Sequence, residues 1–178
     1  MKKKILSAIL VMATASIFSI SCKKEISQQK QPLEEEISTA DRKGHHLRPS
    51  YDLNVTLRGN HNRSGHIKFR QDPDPAKIIT LDTRVHHLEP NRAYLLQRAV
   101  DAINVIDGNC TSTSWLTLGK GLTPQSIFTD ARGKGSEELW RDVSAVQSGS
   151  VFDIHFRVID AVTSAVVLTS DCYQYQVR

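Results

Sequence analysis

The residues best suited to chemistry in this sequence are seven histidines, three cysteines and a scatter of carboxylates. Imidazole is the commonest protein ligand for transition metals. Two histidines separated by one residue would lie on the same face of a strand, but no His-x-His occurs. His45 with His46 and His86 with His87 are adjacent pairs, and adjacent strand residues point to opposite faces. The spacing therefore predicts surface histidines and no metal or other cofactor.

The remaining histidines form no sequence motif either. His61 and His66 flank a glycine-containing turn, NHNRSGH, and His155 alternates with apolar neighbours, so we expect it to face outward. A catalytic or metal site could form only if residues distant in the sequence came together in the fold. The candidates are His61, His66, His86, His87 and Asp82. Such convergence is the alternative hypothesis, a secreted hydrolase or a dismutase-like metalloprotein.

Familiar catalytic signatures are missing. The chain has no GxSxG elbow, HExxH helix or GxxxxGK phosphate loop. Asp72 and Asp74, in DPDP, lack the further oxygen ligands of a calcium loop and predict a turn. We assign no catalytic residue, and the pattern favours a binding or structural module over an enzyme.

The N-terminus is typical of an export signal. Lys2, Lys3 and Lys4 precede an apolar run over residues 5–20, and small residues follow it. At 16 residues, this run is shorter than the roughly 20 that a membrane-spanning helix needs. The pattern predicts a signal peptide over residues 1–21.

Ser19, Ile20, Ser21 and Cys22, continued as SCKKE, resemble the processing junction of bacterial lipoproteins, in particular those of Bacteroidota. The resemblance implies that Cys22 carries a diacylglycerol lipid, with palmitate, and becomes the first residue of the mature chain. It further implies an outer-membrane location, lipid-anchored, with Lys24 and Glu25 matching part of a cell-surface display signature. An ordinary secreted protein with an unmodified Cys22 is the alternative.

With Cys22 assigned to lipid, Cys110 and Cys172 remain. Export places them in an oxidising compartment, where an even number of cysteines indicates a disulfide. Neither lies in a CxxC motif or beside a histidine, which argues against a metal site. We predict a Cys110–Cys172 bridge that ties the last strand to the loop near NVIDGNC.

Charge and composition divide the chain. Removing the three leader lysines lowers the formal charge from +4 to +1. Residues 22–48 are rich in Lys, Glu, Gln and Ser and predict a flexible tether that includes His45 and His46. Residues 49–178 hold 14 Lys plus Arg and 14 Asp plus Glu, a net charge of zero. Nucleic-acid binding is not expected of a domain without a basic excess.

Residues 49–178 alternate between apolar and polar side chains in short runs, which is typical of strands. The clearest runs are Tyr51–Leu57, Ile67–Phe69, Ile79–Val85, 114–118, 125–129, 138–143, 150–159 and 165–177. Residues 91–106 are also good helix formers, so a helix there is an alternative. Two glycines in DARGKG predict a tight reversal with positive φ.

Short strands at frequent turns favour an all-β domain, an antiparallel Greek-key β-sandwich of immunoglobulin-like or related type. We expect Trp115, Trp140, Tyr173 and Tyr175 to pack in its core. The resulting hypothesis is a lipid-anchored cell-envelope module that binds a partner protein or a glycan, or serves structurally. Exposed aromatic side chains would favour the binding roles.

Overall fold

A computed structural model describes residues 49–178. The predictions for the signal peptide, Cys22, the tether and His45–His46 lie outside the described residues. Residues 49–178 form strands joined by turns, with no helix among them. Correspondingly, this part of the chain offers no helical segment that meets the length and hydropathy needed to cross a membrane.

The strands, numbered in chain order, are β1 Leu53–Arg58, β2 Ser64–Gln71, β3 Ile78–His86, β4 Ala93–Val100, β5 Leu116–Thr117, β6 Gly119–Lys120, β7 Thr123–Pro124, β8 Ser126–Phe128, β9 Gly135–Asp142, β10 Val151–Asp160, β11 Val166–Ser170 and β12 Tyr173–Gln176. Their pairing order is β5-β4-β10-β11-β1-β2-β3-β9-β6-β7, with β12 on β10 and β8 on β4. Among these strands, β6 and β9 pair in parallel, and the other pairs are antiparallel.

One stretch, which we call the closing segment (residues 116–129), links the two ends of this sheet. Its β5 bonds to β4, and Lys120 of β6 pairs with Trp140 of β9. Farther along, β8 bonds to β4, and a bridge joins Thr129 to Gly135 at the start of β9. The sheet is therefore nearly barrel-shaped.

The all-β prediction is confirmed. All twelve strands belong to one connected sheet, so the pairing does not establish two separate packed layers, and the Greek-key sandwich stays a prediction. The helical alternative for residues 91–106 does not form. Tyr94 and Leu96 of β4 are buried while Leu95 and Gln97 are partly exposed, and seven residues of β4 pair with β10.

The core fills the interior of this curved sheet. Every second residue of β1, β2 and β3 is buried. Side chains of β4, β8 and β10 are fully buried with them: Leu96, Ile127 and Val158. Burial of large apolar side chains supplies the main driving force for folding, at about 1.5–3 kcal/mol each.

The hairpin between β8 and β9 depends on one of the two glycines predicted there. Gly133 has φ 71°, and a Cβ at this position would lie 2.1 Å from the Leu88 carbonyl oxygen. Its carbonyl accepts a hydrogen bond from Leu88 N–H at 3.1 Å. Gly135 instead begins β9 and is not among the glycines with positive φ. The DPDP segment also forms a turn, in which Lys77 N–H donates to the Asp74 carbonyl at 3.0 Å.

Candidate ligand-binding cavity

A cavity of about 200 Å³ lies inside the curved sheet, toward one end of it. Its lining comes from the last residues of β4 and β9, the first residues of β3 and β10, and the final strand. The residues are mostly apolar: Phe69, Ile79, Leu81, Val100, Leu118, Val143, Val146, Phe152, Ile154, Phe156, Tyr175 and Val177, with Arg98 and Arg141. Ligand sites typically combine such an apolar lining with a few polar groups.

Three aromatic rings form the deep wall of the cavity. Phe69 contacts Tyr175 edge-to-face with ring centroids 4.8 Å apart, and it contacts Phe156 at 6.2 Å. All three side chains are buried. The Tyr175 hydroxyl donates to Gln71 Oε1 at 2.8 Å, and burial raises the pKa of this phenol. The wall is thus fixed by ring contacts and by one buried hydrogen bond.

The open side of the cavity is less buried. Val100, Val143, Val146 and Phe152 pack against the core but stay partly exposed. These residues lie at strand ends or in the loop after β9. The cavity therefore has a rim through which solvent or a ligand can reach the interior.

Arg98 and Arg141 are the charged residues of the lining. Arg98 lies between Leu96 and Val100 on the inward face of β4, and Arg141 follows Leu139 on the inward face of β9. These two strands flank the closing segment. Arg141 Nη1 donates to the Gly121 carbonyl at 3.3 Å. Among the described residues, Arg98 has no side-chain hydrogen bond and no ion pair.

The environment of Arg98 disfavours its charged form. Loss of solvation on burial lowers the pKa of its guanidinium, and the positive charge of Arg141 lowers this pKa further. A guanidinium nevertheless keeps its proton in a protein. Two cations consequently share one rim of an apolar cavity.

The histidine convergence that the alternative hypothesis requires is not seen in residues 49–178. Within residues 49–178, no group of three or more His, Cys, Asp or Glu side chains is placed to hold a metal ion. Asp82 instead pairs with Arg84 at 3.2 Å. His86 and His87 have ring centroids 6.5 Å apart. His61 lies in an exposed turn with φ 56°, and His66 is half-buried in β2.

His155 lies on the outer side of β10, beneath what we call the covering loop (residues 101–115). Its ring stacks against Trp115 with centroids 4.6 Å apart, and its Nε2 lies 3.0 Å from the Ser112 carbonyl oxygen. Arg157 packs on the same Trp115 ring, with its guanidinium carbon 4.0 Å from the ring centre. The cluster joins the loop to the sheet.

The predicted disulfide is confirmed. Cys110, in the covering loop, and Cys172, between β11 and β12, form a bridge with Cα atoms 5.4 Å apart. Two buried or partly buried carboxylates hold the same loop. Asp153 Oδ2 accepts the N–H groups of Asp107 and Gly108, each at 2.9 Å. Asp101 accepts the N–H groups of two further loop residues, Thr111 and Ser112.

The aromatic predictions are only partly right. Tyr173 and Tyr175 are buried in the core, as predicted. The prediction for the tryptophans is wrong: Trp115, the last residue of the covering loop, is half-buried, and Trp140 is 40% exposed. Trp140 belongs to the outward face of β9 with Glu138 and Asp142, and its ring lies against Gly121.

The fold and cavity define residues 49–178 as an all-β domain with an internal, cation-rimmed cavity. No protein-family model matches the chain, and neither a curated protein nor a solved structure is significantly similar to it. Neither Arg98 nor Arg141 was predicted from the sequence as a site residue. The signal was an arginine in register with apolar residues, at Leu96-x-Arg98-x-Val100 and Leu139-x-Arg141-x-Val143.

Proposed function

We propose that this chain is a non-enzymatic binding module of the bacterial cell envelope, which takes a small, largely apolar ligand into the cavity of its sheet. The observation that carries the proposal is the 200 Å³ apolar cavity with a partly exposed rim. An apolar cavity of roughly 150 Å³ is enough to bind benzene. Curved sheets of about eight strands are known to hold one small ligand in this way. The Greek-key sandwich topology stays a prediction and is not needed for this role.

Binding of a glycan or protein partner by surface aromatics has less support. Sugars stack on free ring faces. Phe128 is 67% exposed, yet three other rings of this surface already contact the chain itself. The Trp115 ring is in contact with Arg157 and His155. Arg178 lies 4.2 Å over the centre of the Tyr51 ring. Trp140 contacts Gly121. The cavity is therefore the better-supported site.

Filling the cavity tests the function directly. Val100 lines the cavity and pairs with Ile154, so Val100→Phe should occupy part of the space that a ligand needs. We expect the affinity for octan-1-ol and octanoate to fall at least tenfold, about 1.4 kcal/mol. Calorimetric titration of both probes measures the change, and melting curves verify that the variant is folded.

The matched control is Val105→Phe, the same substitution at a side chain that is 54% exposed in the covering loop. It should leave both affinities within twofold of the wild-type values. Wild-type protein that binds neither probe at millimolar concentration would contradict the proposed function. Equal affinities in Val100→Phe and wild type would place the binding elsewhere.

Anchoring at the outer membrane through Cys22 is part of the proposal, supported by the resemblance of residues 19–25 to lipoprotein junctions. Growth with a labelled fatty acid should label the wild-type protein and leave Cys22→Ala unlabelled, because only the thiol accepts the diacylglycerol. Cys110→Ala is the control that keeps Cys22 and should stay labelled. A labelled Cys22→Ala protein would contradict the anchor and leave the cavity proposal untouched.

A further inference from the structure

No side chain in residues 49–178 neutralises the charge of Arg98, whereas Arg141 interacts electrostatically with the neighbouring Asp142. The Arg98 side chain has no hydrogen bond or ion pair among these residues, and the charge that most affects it belongs to another arginine, Arg141. Six other basic side chains of this region form ion pairs with carboxylates. The domain therefore has acidic partners available, yet none is paired with Arg98.

Placing two cations together at an apolar surface is unfavourable. Partial burial removes hydration from the guanidinium, and the like charge adds repulsion. An arginine can lay its aliphatic stem over apolar surface while its charged head reaches solvent. That arrangement would explain one arginine at the rim, but it gives no reason for a second arginine on the opposite side of the closing segment. Binding of an anion at this rim would account for both residues.

The anion must also suit the rest of the cavity. The space beneath the arginines is about 200 Å³ and is lined by aliphatic and aromatic side chains. By comparison with the roughly 150 Å³ that hold benzene, it fits an apolar body of about six to eight carbons. A guanidinium offers paired N–H donors that match a carboxylate in geometry.

We propose that the cavity selects a monocarboxylate with a short apolar body, whose carboxylate binds Arg98 and Arg141 while the body lies against the Phe69–Phe156–Tyr175 wall. This inference rests on the proposed function and specifies its ligand class. Arg98, which has no competing partner, makes the larger contribution. Arg141 also donates to the Gly121 carbonyl and supplies the second cation.

Three unbranched eight-carbon probes compare the head groups: octanoate, octan-1-ol and octylamine, of which octanoate has the apolar body shorter by one carbon because its carboxyl carbon belongs to the head group. Calorimetric titration of the purified wild-type protein should show octanoate binding about 10- to 100-fold more tightly than octan-1-ol, since hydrogen bonds to charged groups contribute this much. Octylamine should bind most weakly, because its ammonium group meets two like charges.

Arg98→Met retains an unbranched apolar stem and removes the charge. It should remove most of the octanoate preference, leaving only the part that Arg141 contributes, and leave octan-1-ol binding unchanged, which also shows that the cavity is intact. Arg132→Met is the matched control, because Arg132 is exposed in the turn before β9 and does not line the cavity. It removes one positive charge and should retain the full preference.

The outcomes distinguish the inference from the function on which it rests. Equal affinities for octanoate and octan-1-ol in the wild type would overturn the carboxylate inference and leave the cavity function standing. An undiminished octanoate preference in Arg98→Met would likewise overturn it. Absence of binding by all three probes would overturn both.

Discussion

Removing the disulfide should destabilise the folded domain by roughly 4 kcal/mol, because the bridge closes a long loop in the unfolded chain. The two cysteines are 62 residues apart, and the entropy that a crosslink removes from the unfolded ensemble grows with loop length. The Cys110→Ser, Cys172→Ser double variant avoids a leftover reactive thiol. Its melting temperature should fall by on the order of 15 °C, as measured by circular dichroism.

The native structure of the covering loop should survive this change. Asp153 and Asp101 still hold the loop through backbone N–H groups, and Trp115 still stacks on His155. The near-ultraviolet spectrum of the variant should therefore match that of the wild type at low temperature. Reducing agent is the control: it should destabilise the wild type and leave the double variant unchanged. A loss below about 1 kcal/mol would contradict the prediction.

The carboxylates that hold the covering loop could not be identified from sequence. Asp153 sits between Phe152 and Ile154 in a run that reads as an ordinary half-buried strand. Its side chain is nonetheless almost fully buried, because residues 101–115 fold back over that face of β10. Such burial depends on a long-range contact, and local alternation carries no information about it.

Period-two alternation predicted the long strands well, since each buries one face. In the closing segment it predicted runs over 114–118 and 125–129, which contain β5 and β8, but it missed β6 and β7. There β5, β6 and β7 contain two residues each, too few to show a period. The near closure of the sheet was consequently invisible, and a sandwich was the expected way to bury the inner faces. Without closure, no interior cavity could be inferred.

The tryptophan error and the missed arginines have one cause. General preference places Trp inside and Arg outside, but register decides the face in a strand. In β9, Trp140 shares its face with Glu138 and Asp142, whereas Arg141 shares its face with Leu139. Register was readable there and indicated the opposite assignment. In β4 the same inference about Arg98 required rejecting the helical alternative first.

Phe156→Ala should lower the free energy of unfolding by about 3–5 kcal/mol, since truncation of a buried Phe removes apolar burial and leaves a void. Phe156 is 1% exposed and contacts Phe69 in the cavity wall. Denaturant titration measures the loss. A domain of typical stability holds only about 5–15 kcal/mol, so Phe156→Leu provides a milder variant that should remain folded.

Enlargement of the cavity should also change its preference between longer and shorter ligands, so the same substitution tests both stability and ligand binding. In Phe156→Ala, decanoate should gain affinity relative to octanoate, because the void extends the space available to the apolar body.

Leu57→Ala is the matched control: Leu57 is fully buried but does not line the cavity. It should cost about 2–5 kcal/mol and leave the ratio of decanoate to octanoate affinity unchanged. An unchanged ratio in Phe156→Ala or Phe156→Leu would show that the ligand does not reach this wall. A changed ratio confined to Phe156 variants would place the apolar body of the ligand against it.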